Sequence, residues 1–188
     1  KIKENTVLQG KIDMKKRFSD MQQHSGEHIF SGIVNSLYGY NNVGFHLGSE
    51  IVTLDFDGEL NEHDICKVEN LVNKAIWDNL EIKITFPDDE ELSQIKYRSK
   101  IEIEGQVRLV EIPGVDICAC CAPHVKHTGE IGIVRVVAFE RYKGGTRVSI
   151  LCGERALLDL RHKLKQNRLV SNLTSAKQDE TAAAVERL

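Results

Sequence analysis

The order of the elements read along the chain predicts an α+β fold with an antiparallel sheet. Helical and strand-like segments follow one another as helix, strands, helix and strands, and no internal repeat is visible. The 188 residues suit one domain, or one domain with an appendage. Hydrophobic residues make up 41% of the chain, which is enough for a substantial core.

Two helices are predicted in the first half of the chain. The first covers 20–38, with Ser19 or Asp20 as its cap. One side of it carries Met21, His24, His28 and Ile29. Asn61 caps a second helix that runs to about Leu80. Its apolar residues keep a helical period and are expected in the core: Ile65, Val68, Leu71, Val72, Ala75 and Ile76.

Strands are predicted between and after these helices. Alternating apolar and β-branched residues indicate strands near 43–47 and 50–56, and again at 81–86. Pro87 and the acidic residues behind it start a short helix. The remaining strands are expected near 101–104, 107–112, 130–139 and 146–152, with His124 just before the strand that leaves the TGEIG segment.

The last part of the chain is predicted to be an appendage. From Glu154 the pattern is helical, with several leucines and a basic face, and after Ser171 a polar, alanine-rich tail forms a linker or helix. We therefore divide the chain into a main domain over 1–153, expected to lack part of its amino-terminal region, and a segment over 154–188 that leads toward a domain not present.

A pair of histidines on the first predicted helix indicates a metal site. His24 and His28 are four residues apart, which places their Cβ atoms about 5–6 Å from each other on one face. Gly26 between them costs about 1 kcal/mol of helix stability relative to alanine, which predicts a close approach, for example by substrate backbone or sugar. Zinc proteases carry a glutamate directly after the first histidine, whereas here Glu27 precedes the second, so a protease is disfavoured.

A second cluster supplies further ligands. Within ten residues the chain places Cys118, Cys120, Cys121, His124 and His127. Thiolate and imidazole ligands favour tetrahedral Zn²⁺, since magnesium and calcium prefer oxygen. An odd number of cysteines, five, clustered beside histidines points to metal binding in a reducing compartment, the cytoplasm, rather than to disulfides. Cys66 and Cys152 are expected to be buried as small hydrophobes.

Composition and charge limit how the chain could bind a membrane or a nucleic acid. The chain lacks an apolar run of the roughly 20 residues that span a membrane, and no signal segment opens it. The net charge of −3 gives no global basic footprint for nucleic acid, so an RNA-binding enzyme would need a local basic rim. Two candidate rims, which could equally be ordinary surface charge, are Lys96, Tyr97, Arg98 and Lys100, and the turn with Arg141, Lys143, Gly144, Gly145 and Arg147.

Three segments resemble one family of editing proteins. They read MQQHSGEHIFSGIV, VGFHLGSEIVTLDFDG and C-x-x-x-H-V-x-x-TGEIG, in the family's order, over roughly Lys11 to Gly153. The resemblance is to the editing domain of alanyl-tRNA synthetase and its free-standing AlaX relatives, which are similar to the second additional domain of threonyl-tRNA synthetase. It implies a sheet packed around a long helix, with zinc in the cleft between them. The implied zinc ligands are His24, His28, Cys120 and His124.

The register of the third motif favours Cys120 as the cysteine ligand. The family usually reads Cys-Gly-Gly-Thr-His-Val, and counting back four residues from His124 gives Cys120. Pro123 stiffens this loop relative to the family pattern. Cys121 remains a rival ligand, and Cys118 or His127 could support the ligands from behind.

The resemblance implies a zinc-dependent hydrolase that acts in trans on tRNA(Ala) mischarged with serine or glycine. Zinc with an open position lowers the pKa of its water to about 7 and polarises a carbonyl. Four protein ligands would close the site, so either one ligand is loose or the zinc positions the substrate while another group activates water. Three candidates contact substrate or water: His46, Glu27 and Thr53.

Three alternatives remain open from the sequence. The chain could be the cis-editing piece of an alanyl-tRNA synthetase, which has the same chemistry. It could be a catalytically silent tRNA-binding module with a structural zinc, which the four-ligand count permits. It could also hydrolyse unrelated small esters or amides with the help of zinc. The sequence gives no oligomeric state.

Overall fold

The computed structural model describes residues 3–99 and 105–188. Within these ranges the helices are α1 (Met14–Tyr38), α2 (Glu62–Trp77), α3 (Asp89–Gln94), α4 (Gly153–Thr174) and α5 (Thr181–Glu186). A 3₁₀ turn covers Thr128–Ile131. The strands are β1 (Asn42–Leu47), β2 (Val52–Phe56), β3 (Lys83–Thr85), β4 (Leu109–Ile112), β5 (Asp116–Ala119), β6 (Val134–Tyr142) and β7 (Gly145–Cys152).

The predicted α+β class with antiparallel pairing is confirmed, but there are two sheets in the described part rather than one. Four strands pair in the order β1-β2-β7-β6, and three pair in the order β3-β4-β5. The middle of α1, residues 23–34, is buried without interruption. A helix buried on every side needs cover from more than one direction, and both sheets supply it.

Several predicted boundaries need correction. Helix α1 begins at Met14, where the Asp13 side chain accepts a hydrogen bond from the Lys16 amide at 3.0 Å. The first two turns are mostly charged and largely exposed, and their two apolar residues, Met14 and Phe18, are too few to indicate a helical period. The strand predicted at 130–139 begins only at Val134, and the 3₁₀ turn separates it from His124. The sequence also missed β5, and the strand predicted at 101–104 lies outside the described residues.

Other predicted elements are confirmed. Asn61 caps α2 in a reciprocal arrangement with Asp64, and the apolar face of α2 joins the core. Cys152 is buried as expected, whereas Cys66 is exposed on the outer side of α2, which corrects its prediction. No helix among the described residues combines the length and the apolar character that crossing a bilayer requires.

The start of α4 is fastened to the rest of the fold by one arginine. Arg155 donates to Ser19 Oγ at 3.0 Å, to Asp20 Oδ1 at 2.7 Å and to the Gly48 carbonyl at 2.9 Å. These bonds join α1, the β1–β2 turn and α4. The predicted division at Glu154 falls in the first turn of α4, and its meaning as a domain boundary stays a prediction.

Helix α1 packs closely on the end of β7. The Gln23 side chain bonds both backbone groups of Cys152, at 2.8 Å to the amide and 2.9 Å to the carbonyl. A Cβ added at Gly26 would lie 2.5 Å from Cys152 Sγ and 3.1 Å from Val134 Cγ2. The close approach predicted for Gly26 is therefore made by the protein's own core, not by a substrate.

We expect Gly26→Ala to destabilise the protein although alanine is the better helix former. Overpacking a well-filled core costs about 1–3 kcal/mol, which exceeds the roughly 1 kcal/mol that alanine gains in a helix. Urea unfolding monitored by circular dichroism measures the difference. Ser36→Ala, at an exposed position of α1, is the matched control and should not lower the free energy of unfolding. An unchanged or higher stability of Gly26→Ala would contradict this packing.

Candidate metal centre

The two predicted clusters meet in the folded chain. Helix α1 supplies His24 and His28, and the loop after β5 supplies Cys120 and His124. One possible ligand atom from each of the four lies within 4.8 Å of the others. The three imidazole rings are in mutual contact, with centroids 4.2–4.9 Å apart. Cys121 is exposed, and neither it nor His127 joins this group among the described residues.

The loop that carries Cys120 and His124 is held by hydrogen bonds to its backbone. The Cys120 amide donates to the Arg108 carbonyl at 3.1 Å, and the Arg108 guanidinium donates back to the carbonyls of Cys120 and Ala122. Farther along, the Val125 amide donates to Ser25 Oγ at 3.2 Å, which ties the loop to α1. The positions of the two loop residues relative to the helix are thus set before any ion arrives.

Hydrogen bonds at Nδ1 orient two of the imidazoles. His24 Nδ1 lies 3.2 Å from the Pro123 carbonyl, and His124 Nδ1 lies 3.1 Å from Ser25 Oγ. This leaves Nε2 of both rings for the centre of the cluster, where His24 Nε2 is 3.5 Å from Cys120 Sγ. His124 Nε2 is buried and has no hydrogen-bond partner among the described residues. A buried nitrogen without a partner is costly, and a cation at this point would satisfy it.

The cysteine and one histidine are in the protonation states that bind metals. Burial opposes ionisation of Cys120, but the adjacent imidazoles of His124, His24 and His28 lower the pKa of its thiol to about 3. Burial, together with the neighbouring imidazoles of His28 and His24, lowers the pKa of His124 to about 4. A thiolate and a neutral imidazole are the forms that coordinate zinc, so neither needs to release a proton at neutral pH.

The buried charges around His28 also fit a dication. Burial opposes protonation of His28, yet contacts with Asp116, Cys120 and Glu27 raise its pKa to about 9. With His28 in the neutral form that a metal ligand requires, the Cys120 thiolate and the two carboxylates are three formal negative charges, against one positive charge on Arg98. A Zn²⁺ ion would balance the remainder, and the nitrogen and sulfur donors suit it.

A cleft leads to one side of the cluster. It has a volume of about 390 Å³, and His24 forms part of its wall. Phe45 stacks against His24 with centroids 5.7 Å apart. The other lining residues are Asp13, Lys16, Arg17, Asp20, Met21, Leu47, Ala122 and Pro123. The Arg17 side chain forms no ion pair or hydrogen bond within the described ranges, whereas Lys16 is paired with Asp20 at 2.5 Å.

Glu27 lies inside the protein rather than in the cleft. Its side chain is 2% exposed, and Oε1 accepts hydrogen bonds from Ser31 Oγ at 2.8 Å and Asn42 Nδ2 at 2.7 Å. Its second oxygen lies 3.7 Å from His28 Nε2. This placement puts a buried carboxylate beside the Nε2 edge of His28, while the predicted contact with water or a substrate hydroxyl stays a prediction.

His46 and Thr53 face each other across β1 and β2 and are not brought to the cluster. Phe45 contacts His24 and Leu47 lines the cleft, so the alternation of side chains along β1 turns His46 toward the opposite face. His46 is exposed at the end of the strand. Because catalytic contacts often form only with substrate bound, their predicted roles remain predictions without support from this geometry.

The arginines of the two predicted basic rims are paired with carboxylates in the described part of the chain. Arg98 donates to both carboxylate oxygens of Asp116 at 2.7 Å and is mostly buried. Arg147 does the same with Asp55, at 2.6 and 2.8 Å, and Arg141 pairs with Glu59. Lys100 lies outside the described residues. Charges already neutralised by carboxylates are weak candidates for contacting phosphate.

Sequence reasoning missed the residues behind the ligands. Ser25, Asp116 and the Pro123 carbonyl contact the imidazoles, and Arg98 holds Asp116. Ser25 directly follows His24, yet a single serine inside a helix carries no recognisable signal. Arg98 and Asp116 lie in different segments of the chain, and only the folded structure shows that these segments are adjacent.

Comparisons with known proteins agree with the resemblance predicted from the motifs. Residues 107–149 match the family described as threonyl and alanyl tRNA synthetase second additional domain. An alanyl-tRNA editing protein, AlaX-L, of Pyrococcus horikoshii is 31% identical over 166 residues, which are 87% of this chain and 41% of that protein. The alanyl-tRNA editing protein Aarsd1-A of Xenopus laevis is 28% identical over 183 residues, 95% of this chain and 44% of that protein.

A longer protein is also similar. The alanine–tRNA ligase of Methanobrevibacter smithii is 25% identical over an alignment of 189 positions, which covers 96% of this chain and 21% of the ligase. The chain thus spans less than half the length of the curated relatives it matches.

Proposed function

Because the chain is related to alanyl-tRNA editing proteins along most of its length, we propose that it is a zinc-dependent hydrolase that removes serine or glycine from mischarged tRNA(Ala). The observation that carries this proposal is the convergence of three imidazoles and the Cys120 thiolate on one point. We assign the ion to His24, His28, Cys120 and His124, with Nε2 as the coordinating atom of each ring.

The reaction is the hydrolysis of an ester between the amino acid and the terminal ribose of the tRNA. When bound, zinc supplies a Lewis acid that polarises a carbonyl and makes water more acidic. The chain's own residues fix where this chemistry occurs. Pro123 and Ser25 lock the rings of His24 and His124, so the cluster needs little reorganisation.

The substrate approaches from the side of the cleft. His24 forms part of the cleft wall, and Cys120 is the one partly exposed member of the cluster, whereas the other three are buried. Leu47, Ala122 and Met21 provide the small apolar surface on which the amino acid and ribose rest. Arg17 at the edge of the cleft is placed to meet a phosphate of the RNA.

We expect Arg17→Gln to weaken tRNA binding without loss of zinc. Removing one phosphate contact to a single-stranded end should reduce the slope of log affinity against log salt by about 0.7. Filter binding at several salt concentrations measures this slope. Lys67→Gln, on an exposed part of α2 that does not line the cleft, should leave the slope unchanged. Equal slopes for both variants would remove Arg17 from the RNA path.

Editing in trans is favoured over editing within a synthetase. The two editing proteins are 31% and 28% identical to this chain, and the ligase is 25% identical. A deacylation time course with seryl-tRNA(Ala) tests the function itself. A binding module would hold the tRNA without releasing serine, and a hydrolase of unrelated esters would leave it intact.

A further inference from the structure

A buried carboxylate lies behind the ligand His28. Asp116, the first residue of β5, places Oδ2 3.4 Å from His28 Nδ1, and the Asp116 side chain is only 2% exposed. His28 Nδ1 is buried and makes no hydrogen bond of good geometry within the described ranges, so the Asp116 carboxylate at 3.4 Å is the acceptor placed nearest to it in the ion pairs of this site. Asp116 is therefore the group that can receive the Nδ1 proton of His28.

The carboxylate is itself held in place. Arg98 donates from Nε to Oδ1 and from Nη2 to Oδ2, both at 2.7 Å, in a planar two-bond arrangement. The Arg98 backbone also joins β5, donating to the Ile117 carbonyl at 2.8 Å and accepting from the Ala119 amide at 2.9 Å. Two parallel bonds between guanidinium and carboxylate fix the direction of the acid as well as its charge.

A glycine allows the helix and this carboxylate to meet. Gly32 lies four residues after His28 on α1, and a Cβ there would stand 2.6 Å from Asp116 Cβ and 2.7 Å from the Val115 carbonyl oxygen. Helix α1 can approach β5 at this level because Gly32 has no side chain. The contact between His28 and Asp116 is thus built into the packing of two core elements.

We propose that Asp116 and Arg98 are positioning residues for the metal: Asp116 holds His28 in the tautomer that offers Nε2 to zinc, and Arg98 holds Asp116. The inference rests on the zinc site of the proposed function. Carboxylates behind a histidine ligand fix its orientation and strengthen it as a donor, and their loss weakens metal affinity by about 10–100-fold.

The same carboxylate could instead be a ligand of its own. His28, Asp116 and Cys118 form a second group whose ligand atoms lie within 4.8 Å of one another. Arg98 occupies both oxygens of Asp116, however, and its positive charge opposes a cation there. We therefore assign one zinc per chain, with Asp116 behind it.

Zinc dissociation constants from competition with a chromophoric chelator test the proposal. We expect Asp116→Asn to bind zinc about 10–100-fold more weakly, and Arg98→Gln to show a smaller loss. Arg147→Gln is the matched control because it breaks another two-bond arginine–aspartate pair, and it should change the affinity by no more than about twofold. The double variant of Asp116 and Arg98 should equal Asp116→Asn alone if Arg98 acts through the carboxylate.

The visible spectrum of bound Co²⁺ provides a second measurement, which should not change if Asp116 only supports the fold. The visible spectrum of Co²⁺-loaded Asp116→Asn should shift relative to wild type, while Arg147→Gln keeps the wild-type spectrum. If Asp116→Asn does not fold, Arg98→Lys, which retains the charge but not the two-bond geometry, should give an intermediate affinity. The proposal would be overturned if Asp116→Asn and Arg98→Lys bound zinc as tightly as the control. Additive effects in the double variant, or two zinc ions in the wild type, would also overturn it. These measurements use no tRNA, so an inactive protein with the expected affinities would refute only the proposed hydrolase.

Discussion

Replacing His28 by alanine should remove the bound zinc and with it the hydrolysis of seryl-tRNA(Ala). His28 is 3% exposed and contributes one of the three imidazoles, so its removal leaves the ion with two imidazoles and one thiolate as protein ligands. The loss of a direct ligand should weaken zinc binding by more than the roughly 10–100-fold that accompanies loss of a supporting residue. Elemental analysis should find one zinc per wild-type chain and almost none in the variant. Undiminished zinc in His28→Ala would refute the ligand assignment.

The adjacent cysteines provide an internal control for the same experiment. Cys120→Ser should lose zinc because a hydroxyl is a poor substitute for a thiolate whose pKa is lowered to about 3. Cys121→Ser should keep most of its zinc, since Cys121 is exposed and outside the cluster. The reverse pattern would move the ligand by one residue.

The second large effect is discrimination between amino acids. The protein should release serine, and glycine as well, much faster than it releases alanine from correctly charged tRNA. A buried polar group that pairs with the serine hydroxyl and is left unpaired by alanine is worth about 1–3 kcal/mol, or roughly 5–150-fold in rate. Deacylation time courses on the seryl, glycyl and alanyl forms measure the ratio. Equal rates on seryl- and alanyl-tRNA would contradict an editing role.

Local signals in the sequence predicted the elements that carry the ligands. The spacing of His24 and His28 requires a helix, and Asn61 marked the start of α2. The first two turns of α1 were not predicted because most of their side chains are charged, and Met14 and Phe18 alone give too short an apolar period to indicate a helix. Strand β5 was missed because four residues among cysteines give too short a pattern to distinguish a strand from a loop.

The site itself was predictable only in part. Spacing and the family motif identified the four residues that converge, since those signals lie within short stretches of sequence. The groups that orient the rings could not be found in this way. Every residue type supplies a backbone carbonyl, so the sequence carries no signal for the one of Pro123 that contacts His24. The pairing of Arg98 with Asp116 depends on how β5 packs against α1. Gly26 shows the same limit, because its neighbour Cys152 is 126 residues away.

The most direct test of the account is the rate of serine release from seryl-tRNA(Ala) as zinc is added back to chelator-stripped protein. We expect almost no release without zinc, a rise in proportion to added zinc, and a plateau at one equivalent per chain. Circular dichroism of the stripped protein would confirm that the fold persists through the titration. Full activity without zinc, or zinc-loaded protein that binds the tRNA and releases no serine, would contradict the zinc-dependent hydrolase.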